Sequence, residues 1–170
     1  SYTILYAEDV VGLGVAAAGA ILAATQLTGS VGRIIAGSLA DRIGGSGGPL
    51  VVIATQLVGA GVLFGLLGFE PTDPRIVTVV FIGLGVTLLG STGVFYSALT
   101  SLVSRSAIGT ATAAGQMAIN IGGLVTPPLF GILVESMGYG VAWVVPAVLS
   151  LLAVAAIVQV HRQVGAAPVT

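Results

Sequence analysis

Gly37-Ser38-Leu39-Ala40-Asp41-Arg42-Ile43-Gly44 is the stretch on which the reading of this chain turns. An acid and a base stand side by side there, between runs that carry almost no charge. Val10 to Gly32 and Ile43 to Phe69 contain no ionisable residue. A compact charged turn between two long apolar segments describes two membrane spans joined on one side of a bilayer.

The composition extends that reading to the whole chain. Charged residues make up 6% and hydrophobic residues 56%, with a mean hydropathy of +1.12. Soluble domains carry roughly 25% charged residues. Five basic and six acidic side chains among 170 residues could not solvate a globular surface, so the surface faces lipid. The net charge of −1 says nothing about nucleic acid, but there is no basic patch to bind it, and no nucleic-acid partner is expected. All five basic residues are Arg, and there is no Cys, which excludes disulfides, thiolate metal sites and thiol nucleophiles. The Gly-rich stretch 44–48 lacks the Lys and Ser or Thr pair of a phosphate-binding loop, and no cofactor is expected. The chain opens on Ser1, and Ser1 to Val10 show no basic region followed by an apolar one, so the expectation is a fragment without its upstream part.

A span needs about 20 apolar residues to cross roughly 30 Å of hydrocarbon. Five segments qualify: Gly12 to Ala36, Pro49 to Gly68, Ile76 to Ser97, Thr110 to Val134 and Val141 to Val160. Ser1 to Ala7 read as the tail of an earlier helix. Helix is the backbone expected throughout, because lipid offers no partners to N–H and C=O groups and each span must satisfy its own. The runs are too long and too evenly apolar for the alternating strands of an outer-membrane barrel.

The loops are asymmetric in charge. Arg42, Arg105 and Arg162 with His161 fall on one side, with Arg33 close to it; Glu8, Asp9, Glu70, Asp73 and Glu135 fall on the other, where Arg75 is the only base. Basic residues in short loops mark the cytoplasmic side. The loop at 37–48, the loop at 102–109 and the C-terminal tail are therefore expected in the cytoplasm, and those near 70–75 and 135–140 outside. The expected location is the plasma (inner) membrane of a prokaryote.

The 26 glycines carry packing information. Ala114, Ala118 and Gly122 recur every four residues, as do Gly61 with Gly65 and Gly32 with Ala36, and small residues at that spacing let helices approach closely. Pro127 and Pro128, followed by Gly131, break the hydrogen-bond ladder of the fourth segment and predict a kink.

At Gly37, Leu39, Asp41, Arg42 and Gly44 the chain resembles the major facilitator superfamily. Its signature is a glycine, a small or apolar stretch, Asp-Arg and another glycine, in the cytoplasmic loop between the second and third helices of each six-helix half. Thr126-Pro127-Pro128-Leu129-Phe130-Gly131 and Ser136-Met137-Gly138-Tyr139 are similar to helix eleven and its outer turn in that family. Five spans after the remnant of a sixth, a cytoplasmic end and short loops match the C-terminal half. The family usually continues with basic residues after the second glycine, where this chain has Gly45, Ser46, Gly47 and Gly48.

The resemblance implies an all-α, polytopic membrane helix bundle: about five complete transmembrane helices plus a truncated one, half of a twelve-helix transporter. It implies secondary transport of a small solute by alternating access, with the lipid bilayer and the missing N-terminal half as partners. It also implies a gate, in which Asp41 contacts the positive N-terminus of the helix starting near Ser106 to Thr110, with Arg105 as a second partner. The other reading of Asp41 and Arg42 is of solvated charges that set orientation.

Within the spans, Arg33 is the one charge at depth. Its guanidinium could snorkel to the interface or serve the site, as buried charges often do. In carboxylate-transporting branches of the superfamily a comparable arginine holds an anionic substrate, and some of them carry an aspartate four residues earlier, where this chain has Gly29. Gln26, Tyr96, Ser97, Gln116 and Asn120 are the other polar candidates. Gln116 and Asn120, four apart, share a helix face and read together as cavity wall. No Asp or Glu lies inside a span, so proton coupling would draw on another part of the protein. A non-transporting sensor or scaffold on the same fold is the alternative. An intramembrane enzyme would need a cluster of titratable groups that this chain lacks.

Overall fold

The computed structural model describes residues 2–45 and 47–166, with side chains through Gln163. The described residues are helical, with no strand. α1 (Tyr2–Asp9) lies where the tail of an earlier helix is expected. α2 (Val15–Ile43) and α3 (Gly48–Leu67) follow, then α4 (Pro74–Leu84), a five-residue π segment (Gly85–Leu89) and α5 (Ser91–Leu102), which together form one apolar span, Pro74–Leu102. A turn of 3₁₀ helix (Arg105–Ala107) leads into α6 (Ile108–Ala166). α6 contains a non-helical break at Gly138, φ 84° and ψ 171°, and so consists of two arms, 108–137 and 139–166. Counting each arm, five helices among the described residues are long and apolar enough to cross a membrane.

Three expectations change. The Asp-Arg stretch is not a loop over 37–48: Gly37, Asp41 and Arg42 occupy the last turns of α2, and the turn itself begins at Gly44. At 29 residues α2 is about 43 Å long, more than the hydrocarbon thickness, so its charged end continues as helix beyond the apolar layer. What stops it is Gly44, at φ 73°, whose N–H caps the Ala40 carbonyl, followed by Gly45 at φ 63°. Second, Pro127 and Pro128 sit inside α6 with helical dihedrals on both sides, and the departure from helix falls at Gly138 instead. The carbonyls that lose their intrahelical N–H partner to these prolines are those of Gly123 and Leu124, and transmembrane helices can tolerate such losses. Third, 135–140 is not an open loop, since helix resumes immediately after Gly138.

The starts follow local chemistry. Pro49 sits in the first turn of α3 and Pro74 in that of α4, where the missing N–H has no intrahelical role. The Asp73 carboxylate accepts from the Arg75 N–H at 2.8 Å and caps α4.

The two ends of the bundle pack differently. At the Glu70 end, Tyr6, Phe81, Phe130 and Trp143 form a buried aromatic core, joined by Tyr2, Phe64 and Tyr139. Trp143 contacts Tyr6, Phe81 and Phe130 edge-on and stacks on Phe64 at 5.8 Å. Hydrogen bonds close this end: Tyr6 Oη to the Pro71 carbonyl at 3.2 Å, Tyr139 Oη to Asp9 Oδ2 at 2.6 Å, and the Gly140 N–H to Glu70 Oε1 at 2.6 Å. At the Asp41 end the core is small: Ala36, Ala40, Leu50, Val52, Ile53, Val94 and Ala98. Backbones touch closely there. A Cβ on Gly48 would lie 2.6 Å from the Ala40 carbonyl oxygen, and one on Gly47 would lie 2.7 Å from the His161 ring.

Candidate functional site

Tyr96 on α5 and Gln116 and Asn120 on α6 are brought together. The Tyr96 hydroxyl donates to Gln116 Oε1 at 2.5 Å, and Gln116 Nε2 donates to Asn120 Oδ1 at 2.9 Å. The i, i+4 spacing sets the two amides one above the other on α6. Tyr96 reaches them from the neighbouring span, where its ring packs edge-on against Phe95 at 5.3 Å. Phe95 and Leu99 in turn seat on Gly115, at 3.2 and 3.1 Å from where its Cβ would stand. Glycine at 115 thus lets α5 and α6 approach closely enough for the phenol to reach the amide.

Gln116 and Asn120 are exposed and line an open groove of about 450 Å³ with Ala113, Met117, Ile121 and Leu124. The network leaves the Asn120 amide N–H groups free to donate into this groove. An apolar wall with a few convergent amide and phenol groups can orient a small polar or anionic molecule. It has no nucleophile–base pair, and no group of three or more metal-ligating side chains occurs among the described residues.

Arg33 and Gln26 lie on α2, seven residues and hence two turns apart on one face, and both are exposed. Arg33 does not extend freely. Its Nε donates to the Leu89 carbonyl at 3.1 Å, at the end of the π segment, and this holds the guanidinium against the span that carries Tyr96. The Gln26 side chain enters no hydrogen bond among the described residues, and Ser97 is likewise exposed without one.

The gate residues are placed but not joined. Asp41, Arg42 and Arg105 are exposed, and among the described residues none of their side chains is hydrogen-bonded. Gly37 and Gly44 bracket Asp41 and Arg42 at the end of α2, while Arg105 opens the 3₁₀ turn before α6. Of the small-residue faces, Gly61 packs on α6 at Ala147 and Leu151, and Gly32 on the π segment at Val86. Ala114, Ala118 and Gly122 are exposed.

Gln56 was not singled out by the sequence. It is half-buried on α3, its Nε2 donates to the Val86 carbonyl at 3.4 Å, and its Oε1 is buried without a partner. A lone amide in an apolar run is the one signal that could have drawn attention to it. Gly83, Gly85 and Gly90 with Thr87 were the available signal for the irregular span, since so many glycines rarely sit in one regular helix.

A family model described as the Major Facilitator Superfamily matches residues 1–168. Two proteins from two strains of Mycobacterium tuberculosis, each named an uncharacterized MFS-type transporter, are 29% identical over 143 residues, covering 84% of this chain and 32% of their own length. The chain therefore spans about a third of the length of the curated relatives it matches. No solved structure matches it. With its helices long and apolar enough to cross a bilayer, this integral membrane chain belongs to the Major Facilitator Superfamily.

Proposed function

We propose that this chain is the C-terminal half of a secondary transporter that moves a small organic anion by alternating access, its two halves rocking about a central site. The observation that carries the reading is the Tyr96–Gln116–Asn120 network, which spans two helices and opens into a groove. Arg33 supplies the positive charge, and its Nη groups lie beyond the Nε contact with Leu89. Membership of a transporter family supports transport rather than catalysis. The Arg42, Arg105 and Arg162 end faces the cytoplasm of a prokaryotic inner membrane in this reading. Asp41 and Arg105, exposed at that end, close the cytoplasmic side against the start of α6 when the halves rock. Proton coupling, if the carrier uses it, draws on carboxylates beyond these spans.

The test is counterflow. The complete protein is reconstituted in proteoliposomes and offered a labelled aromatic monocarboxylate, a labelled dicarboxylate and a labelled hexose. Accumulation of one carboxylate, chased by its unlabelled form, is the expected result. Accumulation of the hexose alone would remove the anion, and accumulation of none would favour a sensor or scaffold.

A further inference from the structure

π-helical turns inside an α-helix absorb one extra residue, and they are frequent at functional sites. The π segment Gly85–Leu89 divides the Pro74–Leu102 span just before the stretch that carries Tyr96. It lies backbone to backbone on α2. A Cβ on Gly29 would stand 2.6 Å from Leu89 Cβ and 3.1 Å from the Gly85 carbonyl oxygen, and one on Gly32 would stand 2.9 Å from the Val86 carbonyl oxygen. A Cβ on Gly85 would strike the Thr25 carbonyl from the other side. None of these neighbours is the far end of a flexible side chain except at Leu89, so the fit is between two main chains.

The same segment is held by side-chain donors from two other helices. Arg33 Nε donates to the Leu89 carbonyl at 3.1 Å and Gln56 Nε2 to the Val86 carbonyl at 3.4 Å. Hydroxyls of the span itself occupy further carbonyls: Thr87 that of Gly83 at 3.0 Å, Ser91 that of Leu88 at 2.7 Å. A widened turn weakens its own ladder, and these donors take up the carbonyls it exposes. Were the turn to relax to α, every residue from Ser91 to Leu102 would rotate by roughly 100°, one residue's worth of helix. Phe95 and Leu99 would leave Gly115, and Tyr96 would leave Gln116.

We propose that Arg33, with Gly29 and Gly32 beside it, is a positioning residue: it clamps the π segment and so sets the rotation of α5 that aims Tyr96 at Gln116. The functional weight of this clamp rests on Tyr96, Gln116 and Asn120 being solute contacts. Its structural content does not. Simple packing of small residues would predict lost stability on substitution, but no change in which face of α5 meets α6.

The experiment places cysteines at Leu99 and at Ala111, one turn before Gly115 on the same face of α6 and already bearing a Cβ, in the complete protein, with any other cysteine replaced, in lipid nanodiscs. Cross-linking by a short bifunctional thiol reagent then reads the rotation without any solute. Arg33→Met should slow the reaction by about fivefold, the factor expected of one lost hydrogen bond, and Arg33→Lys, which keeps a donor, should recover part of it. Gly19→Ala, where a methyl on the same helix meets open space, should react at the parental rate. Parental rates for Arg33→Met overturn the proposal. If that variant does not fold, Gly32→Ala is read in its place, and a parental rate there overturns it equally. A slowed cross-link with carboxylate uptake unmoved would leave the clamp standing and sink the solute-site reading instead.

Discussion

Gly138 shows how much can hang on one residue. Its φ of 84° and ψ of 171° belong to a region that is essentially glycine's alone, and helix resumes on either side of it. A methyl there would meet little, the nearest atom being Glu70 Oε1 at 4.0 Å, so the objection to a side chain is the backbone itself. Gly138→Ala should destabilise the complete protein by about 1–3 kcal/mol, seen as a lowered Tm in detergent, whereas Gly19→Ala should not lower it. An unchanged Tm for Gly138→Ala would mean that the turn adopts another conformation. At this scale the sequence was partly legible. Gln116 and Asn120 are a pair by spacing alone, and the structure joins them at 2.9 Å. That Tyr96 completes the pair was beyond reach, because it depends on which face of one span meets which face of another. The partner of Arg33 was equally hidden: it is a backbone carbonyl, and every residue has one.

Helix boundaries were where the sequence misled. The apolar count ends this span at Ala36, short of the Asp-Arg pair, yet α2 runs on through Asp41 and Arg42 to Ile43. Charge forbids burial in lipid, not helix, and α2 simply outlasts the hydrocarbon until glycines with positive φ end it. The proline pair misled in the other direction. Pro127 and Pro128 remove two N–H donors from α6, yet its dihedrals stay helical there, since transmembrane helices can tolerate proline. The π segment was invisible for a third reason. Its extra residue is accommodated through contacts with Gly29, Gly32, Arg33 and Gln56, which lie on other helices, so no local propensity encodes it.

The whole bundle is built unevenly, and this bears on how it would move. The Glu70 end is a web of aromatic contacts and hydrogen bonds that tie α1, the turn before α4 and both arms of α6 together. The Asp41 end has a smaller core of alanines and branched aliphatic residues with close glycine contacts, and the π segment lies between the two ends. Class was legible in the sequence because it rests on a long-range average, apolar length, rather than on single contacts. The proposed orientation has a direct check in intact cells. With an impermeant maleimide, Thr72→Cys should label from outside and Ser104→Cys only after permeabilisation, both positions being exposed. The reverse pattern would invert the topology.

The central claim, that Tyr96, Gln116 and Asn120 contact the transported solute, is tested most directly by initial-rate uptake. The complete protein would be compared with Tyr96→Phe and with Gln116→Leu combined with Asn120→Leu, using the carboxylate selected by counterflow. The account predicts that each variant, at matched amounts in the membrane, loses about 10- to 150-fold in kcat/KM, the scale of one hydrogen bond to a charged group. Uptake at the parental kcat/KM in both variants would contradict it.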